Sequence, residues 1–181
     1  MPQKDVTPLA SKIELLLMDV DGVLTDGTLL LVPMPDGSVV EAKAFNVNDG
    51  AALAMARRAG LKTGIISGRS SLALSRRAGE LKVDFFYHGL GRRKTPALEE
   101  IFEKTKLPKD RVCYVGDDVQ DLPLFSLVGF SVAVANSSKD VAAGASYVTQ
   151  AAGGRGAIRE VVELIMRAQG KWEAALKEFA D

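Results

Sequence analysis

The sequence is poor in the side chains that build disulfides and zinc sites. It has one cysteine, Cys113, and one histidine, His88. A single cysteine cannot form an internal disulfide, and one histidine without a cysteine or second histidine beside it is a poor zinc site. Cys113 lies inside a short apolar run, which predicts a small core residue rather than a nucleophile. His88 follows another such run and is predicted to line the rim of a site.

Net charge and long hydrophobic runs are missing as well. Twenty-three basic residues balance twenty-three acidic ones, so bulk electrostatics favours neither a nucleic acid nor a membrane surface as a partner. No run approaches the roughly 18 apolar residues of a membrane span, and no signal peptide is recognisable. These absences predict a cytoplasmic protein that acts on a small ligand.

What the sequence does contain is an alternation of short apolar runs and amphipathic segments. With 47% hydrophobic residues in 181, we expect one domain over residues 1–181 with a sizeable core. The alternation predicts an α/β fold, a Rossmann-like parallel sheet with helices on both faces. The predicted strands are residues 13–18, 62–66, 83–87, 111–115 and 130–134, and the predicted helices are 50–59, 71–79, 95–105 and 122–127.

Two segments depart from this alternation. Residues 27–45 carry a Pro-Asp-Gly turn between two extended runs, which predicts a β-hairpin that projects from the sheet. An isolated hairpin cannot bury its own apolar side chains, so we expect a neighbouring subunit to cover them. The tail, residues 170–181, is typical of a short polar helix or of a loose, mobile end.

The run LLLMDVDGVLTDG, residues 15–27, ends a predicted strand in two carboxylates, Asp19 and Asp21. The carboxylate of Asp19 can attack phosphorus and form an aspartyl-phosphate, which divides one difficult displacement into two easier ones. With one residue between them, Asp21 can turn away from Asp19 and act first as a general acid and then as a general base. The pair predicts the nucleophile and the proton-transfer group of a phosphatase.

Three further segments place complementary groups after predicted strands. IISGR, residues 65–69, offers the Ser67 hydroxyl and backbone N–H groups to phosphate oxygens. Lys94 can neutralise the phosphate, and GDDVQD, residues 116–121, supplies oxygen ligands of the kind that Mg²⁺ prefers. Each segment alone is typical of an ordinary loop, but the combination at strand ends predicts a phosphoryl-transfer site.

At these residues the chain resembles the haloacid dehalogenase superfamily of aspartate-nucleophile phosphatases. Together with KAFNVNDG and AAGGRGAIRE, the motifs are similar to those of the 3-deoxy-D-manno-octulosonate 8-phosphate phosphatases over about residues 13–172. That resemblance implies a role in lipopolysaccharide biosynthesis. It also implies a homotetramer without a separate cap domain, in which the hairpin of one subunit lies near the active site of its neighbour.

The resemblance also implies roles for particular residues. Mg²⁺ would be bound by Asp19, Asp117 and the main-chain carbonyl of Asp21, with support from Asp118 and Asp121. The phosphorylated sugar acid would be contacted by Asp21, Asn46, Asn48, Asp49, Gly50, Gly68, Arg69, Arg77 and Lys94.

Three alternatives remain open at this point. The family usually has an arginine at the positions of Asn48 and Ala54, so a nonulosonate 9-phosphate or another small sugar phosphate is an alternative substrate. A dehalogenase would need neither Asp21 nor magnesium. A receiver-like phosphorylation switch, the alternative from another class of protein, would gain nothing from a built-in base for hydrolysis. Asp21 therefore favours the phosphatase.

Overall fold

The computed structural model describes residues 5–180. Its centre is a six-stranded sheet of β1 Leu15–Met18, β4 Lys62–Ile66, β5 Phe85–Tyr87, β6 Val112–Gly116, β7 Phe130–Ala133 and β8 Tyr147–Val148. The strands lie in the order β5-β4-β1-β6-β7-β8, and every pair of neighbours is parallel. The chain adds β4 and β5 on one side of β1 and then β6 to β8 on the other. The carboxyl ends of β1 and β6 therefore form the switch point where such sheets bind ligands.

Helices cover both faces of the sheet because the side chains of each strand point alternately to opposite faces. The helices are α1 Thr7–Ala10, α2 Val47–Arg58, α3 Leu72–Leu81, α4 Thr95–Thr105, α5 Leu122–Phe125, α6 Lys139–Gly144, α7 Ala157–Ala168 and α8 Trp172–Ala180. Leu16 and Met18 belong to a core shared with α1, α2, α3, α7 and α8, whereas Leu15 and Leu17 belong to a second core shared with α4, α5 and α6. The predicted α/β class with a parallel sheet is confirmed.

The predicted hairpin forms a separate two-stranded antiparallel sheet of β2 Leu30–Pro33 and β3 Val39–Ala42. The Asp36 carboxylate accepts a hydrogen bond from the Ser38 N–H at 2.9 Å, and Gly37 takes the left-handed conformation with φ +82°. These are common properties of tight turns. The hairpin thus projects from the main sheet as expected, and no cap domain is present within residues 5–180.

Several boundaries differ from the prediction for local reasons. Strand β8 has only two residues, too few for a periodic signal. Helix α2 begins three residues earlier than predicted because the Asn46 side chain accepts the Asn48 N–H at 2.8 Å and so caps the helix. Residues 172–180 of the predicted tail are helical, with Trp172 buried, while residue 181 lies outside the described part. Among residues 5–180, the structure contains no helix that could span a lipid bilayer.

Candidate active site

The candidate site lies at the carboxyl ends of β1, β4 and β6. Asp19 directly follows β1, and its N–H donates to the Val115 carbonyl of β6 at 3.0 Å. Ser67 follows β4 and Asp117 follows β6. Because parallel strands end at the same edge of the sheet, three segments far apart in sequence meet there.

Lys94, which precedes α4, joins two carboxylates at the bottom of the site. It is 1% exposed, and its ammonium group lies 2.7 Å from Asp19 Oδ2 and 2.7 Å from Asp121 Oδ1. Burial alone would lower the pKa of Lys94, but the charges of Asp19 and Asp121 outweigh that effect and raise it. Lys94 therefore stays an ammonium ion and fixes one oxygen of Asp19.

The Asp121 carboxylate organises the loop that carries Asp117. Its Oδ1 also accepts the Tyr114 hydroxyl at 2.8 Å, and its Oδ2 accepts the N–H groups of Asp117 at 3.0 Å and Asp118 at 3.3 Å. Both oxygens of Asp121 are thus occupied by donors. Asp118 is exposed and caps the following turn by accepting the Val119 N–H at 2.8 Å.

Two buried carboxylate oxygens at the site are available to bind a ligand. Asp19 Oδ1 and Asp117 Oδ1 find no hydrogen-bond partner within the part of the chain described, and carboxylate oxygens of Asp19, Asp117 and Asp121 lie within 4.8 Å of one another. Burial raises the pKa of Asp19 to about 6, although Lys94 opposes the shift, and raises that of Asp117 to about 7. Buried oxygen donors without partners fit a hard divalent cation such as Mg²⁺. Since Asp121 is already saturated, it supports the site rather than offering a free ligand atom.

Asp21 is partly exposed and contacts two cations that come from other segments. The ammonium group of Lys43, just after β3, donates to Asp21 Oδ1, and Arg69 Nε lies 3.9 Å from Asp21 Oδ2. Glu41 of β3 binds both cations, with Lys43 Nζ at 2.9 Å and Arg69 Nη2 at 2.6 Å. The sequence reasoning missed Lys43 and Glu41. Their only signal was a pair of charges at the end of an otherwise apolar hairpin strand.

A cavity of about 240 Å³ opens over Asp19. Ser67 is buried beneath it and its hydroxyl accepts the Arg69 N–H at 3.3 Å. A side chain on Gly68 would place its Cβ 2.5 Å from the Gly91 carbonyl oxygen, so a glycine is needed there. The cavity is lined by Asp19, Asp21, Ser67, Gly68, Arg69, Gly91, Arg92 and Gln120, of which Gly91, Arg92 and Gln120 were not predicted.

Besides Lys94, which contacts Asp19 from below, five predicted substrate contacts do not line this cavity. Asn46 lines a neighbouring cavity of about 220 Å³, and Asn48 is exposed on the first turn of α2. Asp49 is buried, with its Oδ1 accepting the Arg159 N–H of α7 at 2.7 Å. Arg77 lies 5.7 Å from the centre of the Phe45 ring, and Gly50 packs against it, since a Cβ there would meet the Arg77 guanidinium.

Of the two remaining candidates from the sequence, Cys113 is a core residue as predicted, whereas His88 is not among the residues that line the cavity over Asp19. Cys113 is fully buried in β6, and burial raises the pKa of its thiol, which suppresses the nucleophilic thiolate. His88 is exposed and stacks on Phe86 with ring centres 4.6 Å apart. Neither residue lines the cavity over Asp19.

Comparisons with known proteins agree with this geometry. A family model described as haloacid dehalogenase-like hydrolase matches residues 89–161, which include Lys94 and the Asp117 loop. The 3-deoxy-D-manno-octulosonate 8-phosphate phosphatase KdsC of Escherichia coli K12 is 40% identical over 171 residues, 94% of this chain and 88% of that protein.

Solved structures extend the likeness to three dimensions. A probable YrbI family phosphatase from Pseudomonas syringae pv. phaseolica superposes with a TM-score of 0.90 at 40% identity, with 98% of each chain covered. The 3-deoxy-D-manno-octulosonate 8-phosphate phosphatase of Moraxella catarrhalis, in complex with magnesium, phosphate and the sugar acid, gives 0.89 at 36% identity, with 97% of this chain and 98% of that chain covered. The chain belongs to the haloacid dehalogenase-like hydrolases and, within them, to the family of 3-deoxy-D-manno-octulosonate 8-phosphate phosphatases. The resemblance of the sequence motifs is thereby confirmed.

Proposed function

We propose that this chain is a magnesium-dependent phosphatase that converts 3-deoxy-D-manno-octulosonate 8-phosphate to 3-deoxy-D-manno-octulosonate and phosphate. The observation that carries the proposal is the state of Asp19, one oxygen of which is held by Lys94 while the other is buried without a partner among residues 5–180. The activity named for the Escherichia coli relative and the sugar acid bound by the Moraxella catarrhalis relative support the choice of substrate.

In the first chemical step, Asp19 attacks phosphorus. A bond forms between its carboxylate oxygen and phosphorus while the bond from phosphorus to the sugar oxygen breaks. Asp21 donates its proton to the departing oxygen, so the sugar leaves as a neutral alcohol. The Lys94 ammonium group, 2.7 Å from Asp19 Oδ2, holds the carboxylate in position for attack.

In the second step, water hydrolyses the aspartyl-phosphate. Asp21, now a carboxylate, takes a proton from the water as its oxygen attacks phosphorus and the bond to Asp19 breaks. Inorganic phosphate leaves, and both carboxyl groups return to their starting states. The Ser67 hydroxyl and the backbone of Gly68 provide donors for the non-bridging phosphate oxygens during both steps.

The metal site of this proposal consists of Asp19, Asp117 and the main-chain carbonyl of Asp21, supported by Asp118 and Asp121. When bound there, Mg²⁺ neutralises the charge that builds up between the phosphate and the carboxylates. The chain contributes two buried carboxylate oxygens without partners in the described residues, and Asp121 holds the loop that aims one of them.

The substrate contacts proposed for Gly68, Arg69 and Lys94 agree with their places in or directly beneath the cavity. Asn46, Asn48 and Gly50 are proposed to act at the neighbouring opening by the start of α2. We also propose a cytoplasmic homotetramer that serves lipopolysaccharide biosynthesis. The exposed apolar hairpin supports the assembly.

A substrate screen tests the function. We expect the purified protein with Mg²⁺ to hydrolyse 3-deoxy-D-manno-octulosonate 8-phosphate with a higher kcat/KM than a nonulosonate 9-phosphate or glucose 6-phosphate. Chelation should remove the activity. Asp19→Asn should abolish it, whereas Asp110→Asn, at an exposed ion pair with Lys12, should not. Full activity of Asp19→Asn would contradict the mechanism, and a preference for the nonulosonate 9-phosphate would change the substrate alone.

A further inference from the structure

Lys43 is a buried cation that the reaction scheme does not use. Its side chain is 2% exposed, and it contacts Asp21 and Glu41. A lysine is almost never buried to this extent unless it is paired. Lys43 is therefore held as an ammonium ion against the carboxylate proposed to transfer protons.

The contacts of Lys43 belong to a ring of four charges that alternate in sign. Around the ring, Lys43 contacts Glu41, Glu41 binds Arg69 at 2.6 Å, and Arg69 lies 3.9 Å from Asp21, which contacts Lys43. Three separate segments supply these residues: the loop after β1, the end of the hairpin and the loop after β4. The ring therefore links the base of the hairpin to two residues that line the cavity, Asp21 and Arg69.

We infer that Lys43, anchored by Glu41, is a positioning residue that orients the Asp21 carboxyl for proton transfer. The inference rests on the acid and base role proposed for Asp21. Lys43 occupies Oδ1 of Asp21. Oδ2, which is 3.9 Å from Arg69 and so beyond hydrogen-bond distance, is left to exchange the proton with the departing sugar oxygen.

Direct binding of substrate by Lys43 fits the geometry less well. Asp21 and Arg69 line the cavity over Asp19, but Lys43 does not. Its ammonium group is directed at two carboxylates and its side chain is nearly inaccessible. Lys43 touches the cavity lining directly at Asp21 and reaches Arg69 through Glu41, so its effect on proton transfer passes through Asp21.

The leaving group of the substrate separates these roles. The kcat/KM value covers the reaction up to departure of the leaving group. An alkyl sugar phosphate needs a proton on its departing oxygen, whereas p-nitrophenyl phosphate releases a stable phenolate without one. We expect Lys43→Met to lower kcat/KM for the sugar phosphate about 10²-fold and to lower that for p-nitrophenyl phosphate far less. Lys43→Arg should recover part of the loss. Lys104→Met, which removes an exposed ion pair 2.6 Å long, should leave both values unchanged.

A double-variant cycle with Asp21→Asn completes the test. Asp21→Asn should show the same dependence on the leaving group, and Lys43→Met should add no further selective loss in that background. Equal losses for both phosphates, or a selective loss that persists in Asp21→Asn, would overturn the inference alone. If Asp21→Asn itself shows no dependence on the leaving group, the proposed acid role falls together with the inference. If Lys43→Met does not fold, Glu41→Gln is the alternative variant, because it weakens the contact that holds Lys43 with little change of shape. Glu41→Gln must then show the same selective loss for the sugar phosphate. The absence of that selectivity would overturn the inference.

Discussion

At the scale of single residues, burial prepares Asp19 and Asp117 for a cation. Their pKa values are raised to about 6 and about 7, chiefly by burial, whereas the pKa of an aspartate in an unfolded chain is about 4. The folded protein without metal thus binds protons more tightly than the unfolded chain. The stabilisation of the fold that comes from binding these protons is fully present below about pH 4. It is lost as pH rises through the folded-state pKa values of about 6 and about 7. A metal ion competes for the same oxygens.

We therefore predict that magnesium stabilises the protein more at pH 8 than at pH 5. Without metal, the two carboxylates should lower the melting temperature as pH rises through this range. Added Mg²⁺ should raise it by several degrees at pH 8, because each kcal/mol is worth about 2–4 °C for a chain of this size. At pH 5 the increase should be small. Calorimetry in Mg²⁺ and in chelator measures both effects, and an equal increase at the two pH values, or an undiminished one in Asp117→Asn, would contradict the prediction.

A glycine beside the metal-binding carboxylates gives a second prediction at this scale. Gly22 has φ +89°, and a Cβ there would lie 2.5 Å from Asp117 Cγ. Gly22→Ala should therefore displace Asp117 as well as strain the backbone. Gly37 has a similar φ of +82° but no atom within 4 Å of a Cβ, so Gly37→Ala measures the strain alone.

We expect Gly22→Ala to require at least tenfold more Mg²⁺ for half-maximal activity and Gly37→Ala to match the wild type. Titration of phosphate release against Mg²⁺ makes the comparison, with melting temperatures recorded for both variants. An equal requirement for Mg²⁺ in the two variants would mean that Asp117 does not depend on the space at Gly22.

At the scale of elements, α2 stabilises the start of α7. Helix α7 begins after Gly156 without a side-chain cap from that residue. Asp49, in the first turn of α2, instead accepts the Arg159 N–H. Loss of a helix cap costs about 0.5–2 kcal/mol, and the first N–H groups of a helix have no partner within the helix. Asp49 thus serves the fold, although the family resemblance implies that it contacts substrate.

Kinetics and unfolding together separate these two roles. We predict that Asp49→Ala lowers the free energy of unfolding by about 1–2 kcal/mol and leaves KM for the sugar phosphate unchanged. Arg57→Ala, at an exposed position later in α2, should leave KM unchanged and alter the stability far less. Urea unfolding gives the stability. A raised KM with normal stability in Asp49→Ala would restore the substrate contact.

Elements and site could be predicted from the sequence to different extents. The buried runs of β1, β4 and β6 and the acids that follow them are local patterns, so the sequence alone suffices to assign Asp19, Ser67 and Asp117 to strand ends. The pairing of Lys43 with Asp21 spans 22 residues and depends on how the hairpin folds back. Tyr114 holds Asp121 from inside a buried strand, where the sequence pattern shows only another core residue. Arg92 and Gln120 reach the cavity through loops, whose paths follow from packing rather than from periodicity.

At the scale of the whole molecule, the apolar side chains of the hairpin are exposed in the single chain. Seven of the exposed large hydrophobic side chains lie on it, namely Leu29, Leu30, Leu31, Val32, Met34, Val39 and Val40. A two-stranded sheet of this kind is marginal in water. The base of the same hairpin carries Glu41 and Lys43, which contact Arg69 and Asp21. A subunit that covers these apolar side chains should therefore also restrict the motion of Glu41 and Lys43 beside the cavity.

The last prediction is that assembly and activity are lost together. Leu30 is 56% exposed in the single chain, and burial of a charge at a subunit contact costs several kcal/mol. Leu30→Asp should therefore shift the protein from the proposed tetramer toward smaller species and lower kcat/KM, because a freed hairpin no longer holds Lys43 firmly. Leu72→Asp, at a side chain that is 91% exposed on α3, introduces the same charge away from the hairpin and should change neither mass nor rate. Light scattering and kinetics at matched concentrations decide the outcome, and a fully active monomer of Leu30→Asp would show that the site is complete without a neighbour.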